Sequence, residues 1–315
     1  MATSATAGSA VNPQTPIANV GNFYINGCRL SWVSTTTFNV TSGLCRDSTD
    51  TIDIIMGGSQ YSSATNAGGE QGLNNPSSAG ATVLVSVALN GAGGLDVGTI
   101  AASKEYSVFA IGDSRGFNAG SALITLTPVS TGAAAPAAPV PHLPLGYDCY
   151  RYIGSVSIDS SSHVRPFIQT GAQAVRTIWY DPGTGPSTAG VVIPSSATSS
   201  STTYINAGLF ATLIPQSALE VILNVAFTPN SAGNVVYFAP ATVDNGTTAS
   251  VGSMAALGAE VTGHPQTGVV RVPVSLPNAT QQSGLTILNN VTALVASTSG
   301  SDSMVLLLNG YIDQL

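Results

Sequence analysis

Apolar and polar residues alternate with a period of two along much of this chain. The clearest row is Leu219 to Phe227, where Leu219, Val221, Leu223, Val225 and Phe227 alternate with Glu220, Ile222, Asn224 and Ala226 before Thr228-Pro229-Asn230 closes the run. Such a row predicts a strand with one face turned to a core. Val270, Val272, Val274 and Leu276 repeat it, and Pro273, which has no amide hydrogen for a ladder, places that strand at a sheet edge or a bulge. A third row, Val83, Val85, Val87 and Leu89, runs into Asn90-Gly91-Ala92-Gly93-Gly94. Shorter strands are predicted at Phe23–Ile25, Leu30–Val33, Thr37–Val40, Tyr106–Ile111, Ala122–Leu126, Ile153–Ile158, Val175–Tyr180, Tyr237–Ala239 and Met304–Leu308. Helical spacing is weak, and the one candidate helix is Ser253–Val261, from Met254, Leu257 and Val261.

Short strands separated by Gly, Pro, Asn and Ser turns predict an all-β protein built as a sandwich or jelly roll. No short repeat or heptad run points to a solenoid, propeller or coiled-coil shaft. The 315 residues suffice for two domains. Two breaks compete for the boundary: the Pro- and Ala-rich stretch Pro128–Pro144, and Tyr180-Asp181-Pro182-Gly183-Thr184-Gly185-Pro186. The later break divides the chain into a β domain over residues 21–180 and a second β-sandwich over 181–315. Met1–Val20 precedes them, small, polar and without periodicity. A segment of this kind gains order by packing on something else, so it is expected to be an arm docking to a neighbouring subunit.

Composition sharpens the picture. Charged residues make up 7% of the chain, with Lys104 as its lysine beside seven arginines, so the ion-paired polar faces of amphipathic helices are missing. A hydrophobic content of 43% and a mean hydropathy of +0.29 supply the apolar surface that disordered chains lack. A net charge of −7, with no basic cluster, argues against nucleic acid as a partner. Met1–Val20 has neither the basic nor the apolar region of a signal peptide, and no run of 18 apolar residues occurs, so membrane insertion is not expected.

Candidate chemistry is sparse. Gly112-Asp113-Ser114-Arg115-Gly116 matches the G-x-S-x-G elbow of serine hydrolases and follows a strand-like segment. The elbow needs a helix after the serine, whereas Phe117–Ser121 leads into another strand; a triad must also recruit His142, His163 or His264. A hairpin turn is therefore the favoured reading of Ser114, with the hydrolase as the minor one. Asp47, Asp50 and Asp53 recur every third residue and could offer oxygens to Ca²⁺, but they lack the alternate spacing and glycine of an EF-hand loop; turn caps beside a locally paired Arg46 are favoured. Tyr147, Tyr150, Tyr152, Trp179 and Tyr180 could form a sugar-stacking platform or belong to the core. Cys28, Cys45 and Cys149 are too few for a disulfide scaffold or zinc site; buried free thiols are expected, although Cys28 and Cys45 could face each other across neighbouring strands. Asn39, Asn245, Asn278 and Asn290 head glycosylation sequons, which abundant Ser and Thr produce by chance. No catalytic, cofactor-binding or metal-binding set stands out.

Two segments resemble a family of tailed-bacteriophage virion proteins. The first runs from Gly21-Asn22-Phe23-Tyr24-Ile25-Asn26-Gly27-Cys28-Arg29-Leu30 through Val40 into Cys45-Arg46-Asp47-Ser48-Thr49-Asp50-Thr51-Ile52-Asp53-Ile54. The second is Leu143-Pro144-Leu145-Gly146-Tyr147-Asp148-Cys149-Tyr150-Arg151-Tyr152-Ile153-Gly154. Between them, Tyr106, Val108, Ile111, Asp113 and Ser114 match the family's central strand. The likeness covers about residues 21–173 and continues weakly through Ile214-Pro215 and Asn224–Phe227, which draws the Pro-Ala stretch inside the first unit and favours the later boundary. The resemblance implies a structural, non-enzymatic component of the virion, assembled in the bacterial cytoplasm and carried on the released particle. A tail appendage or fibre-associated protein is preferred over a head decoration protein. It further implies a symmetric homo-oligomer, a homotrimer first, in contact with other virion proteins. A module binding host surface glycan is the alternative of a different class.

Overall fold

The computed structural model describes residues 24–57, 81–115, 117–126, 140–172, 175–181, 191–193, 204–206, 214–215, 217–228, 235–240, 255–258, 266–273, 291–296 and 303–315. The arm at 1–20, residues 128–139 of the Pro-Ala stretch, the break at 182–186 and His264 lie outside them. The fold is all-β, with strands and no helix among the described residues.

Three short strands, β1 (Ile25–Gly27), β4 (Gly43–Arg46) and β5 (Asp53–Met56), form an antiparallel ribbon in the order β1-β4-β5. Between them in sequence come β2 (Leu30–Trp32) and β3 (Thr37–Val40), which join a different sheet. A second sheet has the order β10-β8-β9-β7, from β7 (Gly94–Leu95), β8 (Glu105–Gly112), β9 (Ser121–Leu126) and β10 (Cys149–Ser157). All eight residues of β8 are buried. One side of the strand presents Tyr106, Val108 and Ala110 to the main core, and the other packs Phe109 and Ile111 with Leu123, Leu143, Tyr147, Tyr150 and Tyr152. A strand covered on both faces reads as a nearly continuous apolar run, as Tyr106–Ile111 does.

The third sheet is the largest. Its path joins β6 (Val83–Ser86), β3, β2, β11 (Phe167–Ala172), β12 (Val175–Tyr180), β20 (Ser303–Gln314), β15 (Ala218–Thr228) and β18 (Gln266–Pro273), while β13 (Val191–Ile193) pairs separately with β20. Strands from before and after Tyr180 are therefore hydrogen-bonded neighbours: Ile178 faces Tyr311 and Leu223 faces Leu308. The main core likewise runs from Phe38, Val85 and Ile153 to Val221, Phe227 and Val272. A fourth sheet has the order β14-β19-β16-β17, from β14 (Tyr204–Asn206), β16 (Val235–Pro240), β17 (Ala255–Gly258) and β19 (Val291–Ala296).

The period-two reading fits β15, where Val221, Leu223, Val225 and Phe227 are buried. Leu219 leaves the row because the register shifts between Ala218 and Glu220. Ile222, on the opposite face, is buried as well. β18 lies at the end of the sheet and finishes at Pro273, the edge position that a missing amide hydrogen requires. One expectation is corrected: Ala255–Gly258, in the predicted helix Ser253–Val261, is a strand paired with Val235–Phe238 of β16. Three apolar residues at helical spacing span barely two turns, too little to outweigh a partner strand that satisfies the same backbone groups.

Candidate functional site

The residues that carried the phage resemblance meet at one corner. β4 ends at Arg46, whose Nε contacts Asp53 Oδ1 at 2.8 Å and whose Nη1 donates to the Asp50 carbonyl at 3.0 Å. The Tyr24 hydroxyl donates to the same Asp53 oxygen at 2.8 Å, and the guanidinium lies 5.5 Å from the Tyr24 ring centre. Asp47 caps the following turn: it accepts from Thr49 N, Thr49 Oγ1, Thr51 N and Ile52 N at 3.2, 2.5, 2.8 and 2.7 Å. Burial works to raise its pKa, but these hydrogen bonds outweigh burial and hold it below the ordinary carboxylate value. Of the three aspartates expected to cap turns, Asp47 does so, while Asp53 binds Tyr24 and Arg46; Ser48 N then donates to the Tyr150 carbonyl of β10 at 2.8 Å.

The turn after β8 is tied to the loop before β10. Asp113 accepts from Arg115 N and Nε, both at 3.0 Å, and from Asn118 N and Nδ2 at 3.2 and 2.9 Å. Burial again pushes upward, and the bonds from Arg115 and Asn118 bring the carboxyl below its usual value. Asn118 Nδ2 also donates to the Gly146 carbonyl at 3.0 Å, and the Tyr147 hydroxyl donates to the Ala119 carbonyl at 3.1 Å. Gly146 has φ +92°, and a Cβ there would lie 2.6 Å from Asn118 Nδ2, so both backbone and space demand glycine. Asp148 N donates to the Gly112 carbonyl at 3.0 Å.

Ser114 belongs to this lacing. Its amide donates to Asp148 Oδ1 at 2.7 Å and its hydroxyl to Asp148 Oδ2 at 2.5 Å. β8 is followed by a turn and then β9, not by a helix. His142 donates its backbone amide to Asp96, and His163 lies 3.7 Å from Asp159 in its own turn. The chemistry of the corner is that of closing three loops, with carboxylates accepting amide and hydroxyl protons.

Of the five aromatic residues considered as a sugar platform, Tyr147, Tyr150 and Tyr152 pack against the Phe109–Ile111 cluster, and Trp179 and Tyr180 lie on opposite faces of β12. Tyr150 and Tyr152 set their rings edge-on to Phe109, with centroids 5.7 and 5.8 Å away. Tyr180 is buried beside Tyr311, 6.2 Å between centroids, while Trp179 on the other face of β12 donates to Thr170 Oγ1 at 3.3 Å. Exposed apolar side chains lie elsewhere. Leu84, Asn39, Ser31, Ile168 and Trp179 form one cross-strand row on the large sheet, in which Leu84 and Ile168 are 56% and 67% exposed.

Two groups escaped the sequence. Arg176, 1% exposed, reaches across from β12 and donates to the carbonyls of Gly27 and Cys28, each at 2.7 Å, and to Gln169 Oε1 at 3.2 Å. A polar cluster between β8 and β20 holds Glu105 and Asp313, 3% and 1% exposed. Tyr311 OH shares a 2.5 Å hydrogen bond with Ser155 Oγ and lies 3.5 Å from Glu105 Oε1, and Tyr152 OH donates to Asp313 Oδ2 at 2.7 Å. Burial drives Glu105 up to about 8 and Asp313 up to about 6. These partners lie up to 206 residues apart, beyond any local motif.

No family model matches the chain, and no curated protein matches it. Among solved structures it is similar to particles of infectious bursal disease virus. The Gx strain aligns at 11% identity over 96% of this chain and 79% of that chain, with a TM-score of 0.19. The VP2 subviral particle aligns at 13% identity over 95% of this chain and 74% of that chain, with a TM-score of 0.18. Scores this low carry no argument about fold or role.

Proposed function

We propose that this protein is a non-enzymatic structural component of a tailed-phage virion, a tail appendage or fibre-associated protein that assembles as a symmetric homo-oligomer. The observation that carries the reading is the corner itself. Segments 45–54, 106–114 and 143–154, which resemble phage virion proteins, are joined through Ser48 to Tyr150 and Ser114 to Asp148, and Asn118, just beyond the second, bonds Gly146 of the third. Their polar groups hold loops together, the task of a scaffold. The Ser114 hydroxyl, the group a hydrolase would need, is bound to a carboxylate.

Assembly is supported by the open row on the large sheet, where Ile168 and Leu84 stand in line with Ser31, Asn39 and Trp179 and no charged residue. The test is peptide mass spectrometry of purified particles from the phage or prophage that encodes the chain, with immunogold labelling to locate it. Multiple copies labelling the tail support the reading. Labelling of the head moves the protein to the decoration class, and absence from washed particles refutes a virion role.

A further inference from the structure

Two of the three cysteines are placed so that they can be joined. Cys28 follows β1 with φ +52°, a region that residues other than glycine seldom occupy. Arg176 holds it there through the Gly27 and Cys28 carbonyls. The resulting turn folds the Cys28 side chain back over β4, where a Cβ on Gly43 would come within 2.7 Å of Cys28 Sγ. Glycine at position 43 thus makes room for the thiol. Cys45, two residues further along β4, shares Gly43's face and pairs in register with Ile25. The Cys28 thiol donates to the Asn26 carbonyl at 3.9 Å, its nearness to Cys45 helps hold the Cys45 thiol well above its ordinary pKa, and both residues have 0% exposure. Both are free thiols, as is Cys149 on β10.

We propose that Cys28 and Cys45 are a disulfide-forming pair that locks the turn after β1 to β4 when the protein meets an oxidising medium. The oxidant is a low-molecular-weight disulfide such as oxidised glutathione. One protein thiolate attacks a glutathione sulfur, breaking that S–S bond and expelling one glutathione thiolate. The second protein thiolate then displaces the other, so the protein dithiol loses two electrons and two protons while one oxidised glutathione becomes two reduced molecules. Because both thiols are covered, closure in the native fold waits on opening of the narrow β1-β4-β5 ribbon, and refolding offers the faster route.

The experiment is refolding of the full chain from urea in reduced and oxidised glutathione, followed by N-ethylmaleimide quenching in acidified then neutral denaturant so that every free thiol is reached, intact mass measurement and peptide mapping. The expected product is 2 Da lighter than the reduced chain before alkylation, carries a Cys28–Cys45 linked peptide and takes up maleimide at Cys149 alone. Closing a loop of 17 residues raises the melting temperature by about 5 °C, an increase that dithiothreitol reverses. Cys149→Ser retains the cross-link and the shift, whereas Cys45→Ser loses both. Three maleimide adducts after oxidative refolding, a cross-link through Cys149, or a linked product that melts no higher than the reduced chain would each overturn the proposal. If Cys45→Ser does not fold, wild type and Cys149→Ser still decide the matter.

Discussion

Replacing Glu105 by glutamine should stabilise the protein at alkaline pH and change how its stability depends on pH. Glu105 sits on the fully buried β8, faced by Ser155 and Ser157 of β10, Tyr180 of β12, Arg165, and Tyr311 and Asp313 of β20. Burial raises its pKa from 4.5 to about 8, more than the hydrogen bonds from Ser155, Ser157 and Tyr311 lower it, with Asp313 adding to the rise. A folded-state pKa above the unfolded one gives stability that is complete below about 4.5 and lost as pH climbs through about 8. At about 1.4 kcal/mol per pH unit, the loss approaches about 5 kcal/mol, and water entering around the ionised group reduces it to about 3 kcal/mol. Asp313, raised from 3.8 to about 6, contributes the same sign but has finished titrating by about pH 7. Urea unfolding at pH 5, 7 and 8.5 separates the two groups. Wild type should weaken between pH 7 and 8.5, while Glu105→Gln stays nearly level there and becomes the more stable protein at pH 8.5. Equal slopes for the two proteins above pH 7, or a wild type that strengthens with rising pH, would refute the reasoning.

Gly146→Ala forces a Cβ against Asn118 at a positive φ and should cost about 1–3 kcal/mol by urea unfolding. Arg176→Met removes the donors to the Gly27 and Cys28 carbonyls and should cost about 3 kcal/mol by the same measure. Ser114→Ala, which loses one hydrogen bond to Asp148, should cost about 1 kcal/mol, and wild-type Ser114 should remain unlabelled by a fluorophosphonate probe on peptide mapping. Ile168→Lys puts a charge in the exposed row of the large sheet and should shift the light-scattering mass from oligomer towards monomer while the circular dichroism spectrum is kept.

Much of the fold was legible because buried strand faces leave a local trace. Val221, Leu223, Val225 and Phe227 are one buried row, and Pro273 marks the end of an edge strand. Ala255–Gly258 went astray because spacings of three and four within nine residues do not separate a short helix from a strand that finds a partner. Topology left no such trace. Nothing in Ser303–Gln314 announces that it inserts between β12 and β15, since that choice depends on pairing with partners as distant in sequence as Thr228 with Ser303 and Val175 with Gln314. The candidate corner was half visible. Arg46-Asp47-Ser48, Asp113-Ser114 and Gly146-Tyr147-Asp148 stood out as segments, but their mutual hydrogen bonds exist only once the chain is folded. Glu105, Asp313 and Arg176 carry no local sign of burial, because the strands that cover them come from distant parts of the chain.

The central claim is that this chain is a repeated structural part of a virion. It is tested most directly by a cryo-microscopy reconstruction of the intact particle at side-chain detail. The account predicts several symmetry-related copies on the tail, touching one another, with the 112–118 turn and the 143–148 loop closed as described. A particle without this chain, or one in which it sits as an isolated single copy, would contradict it.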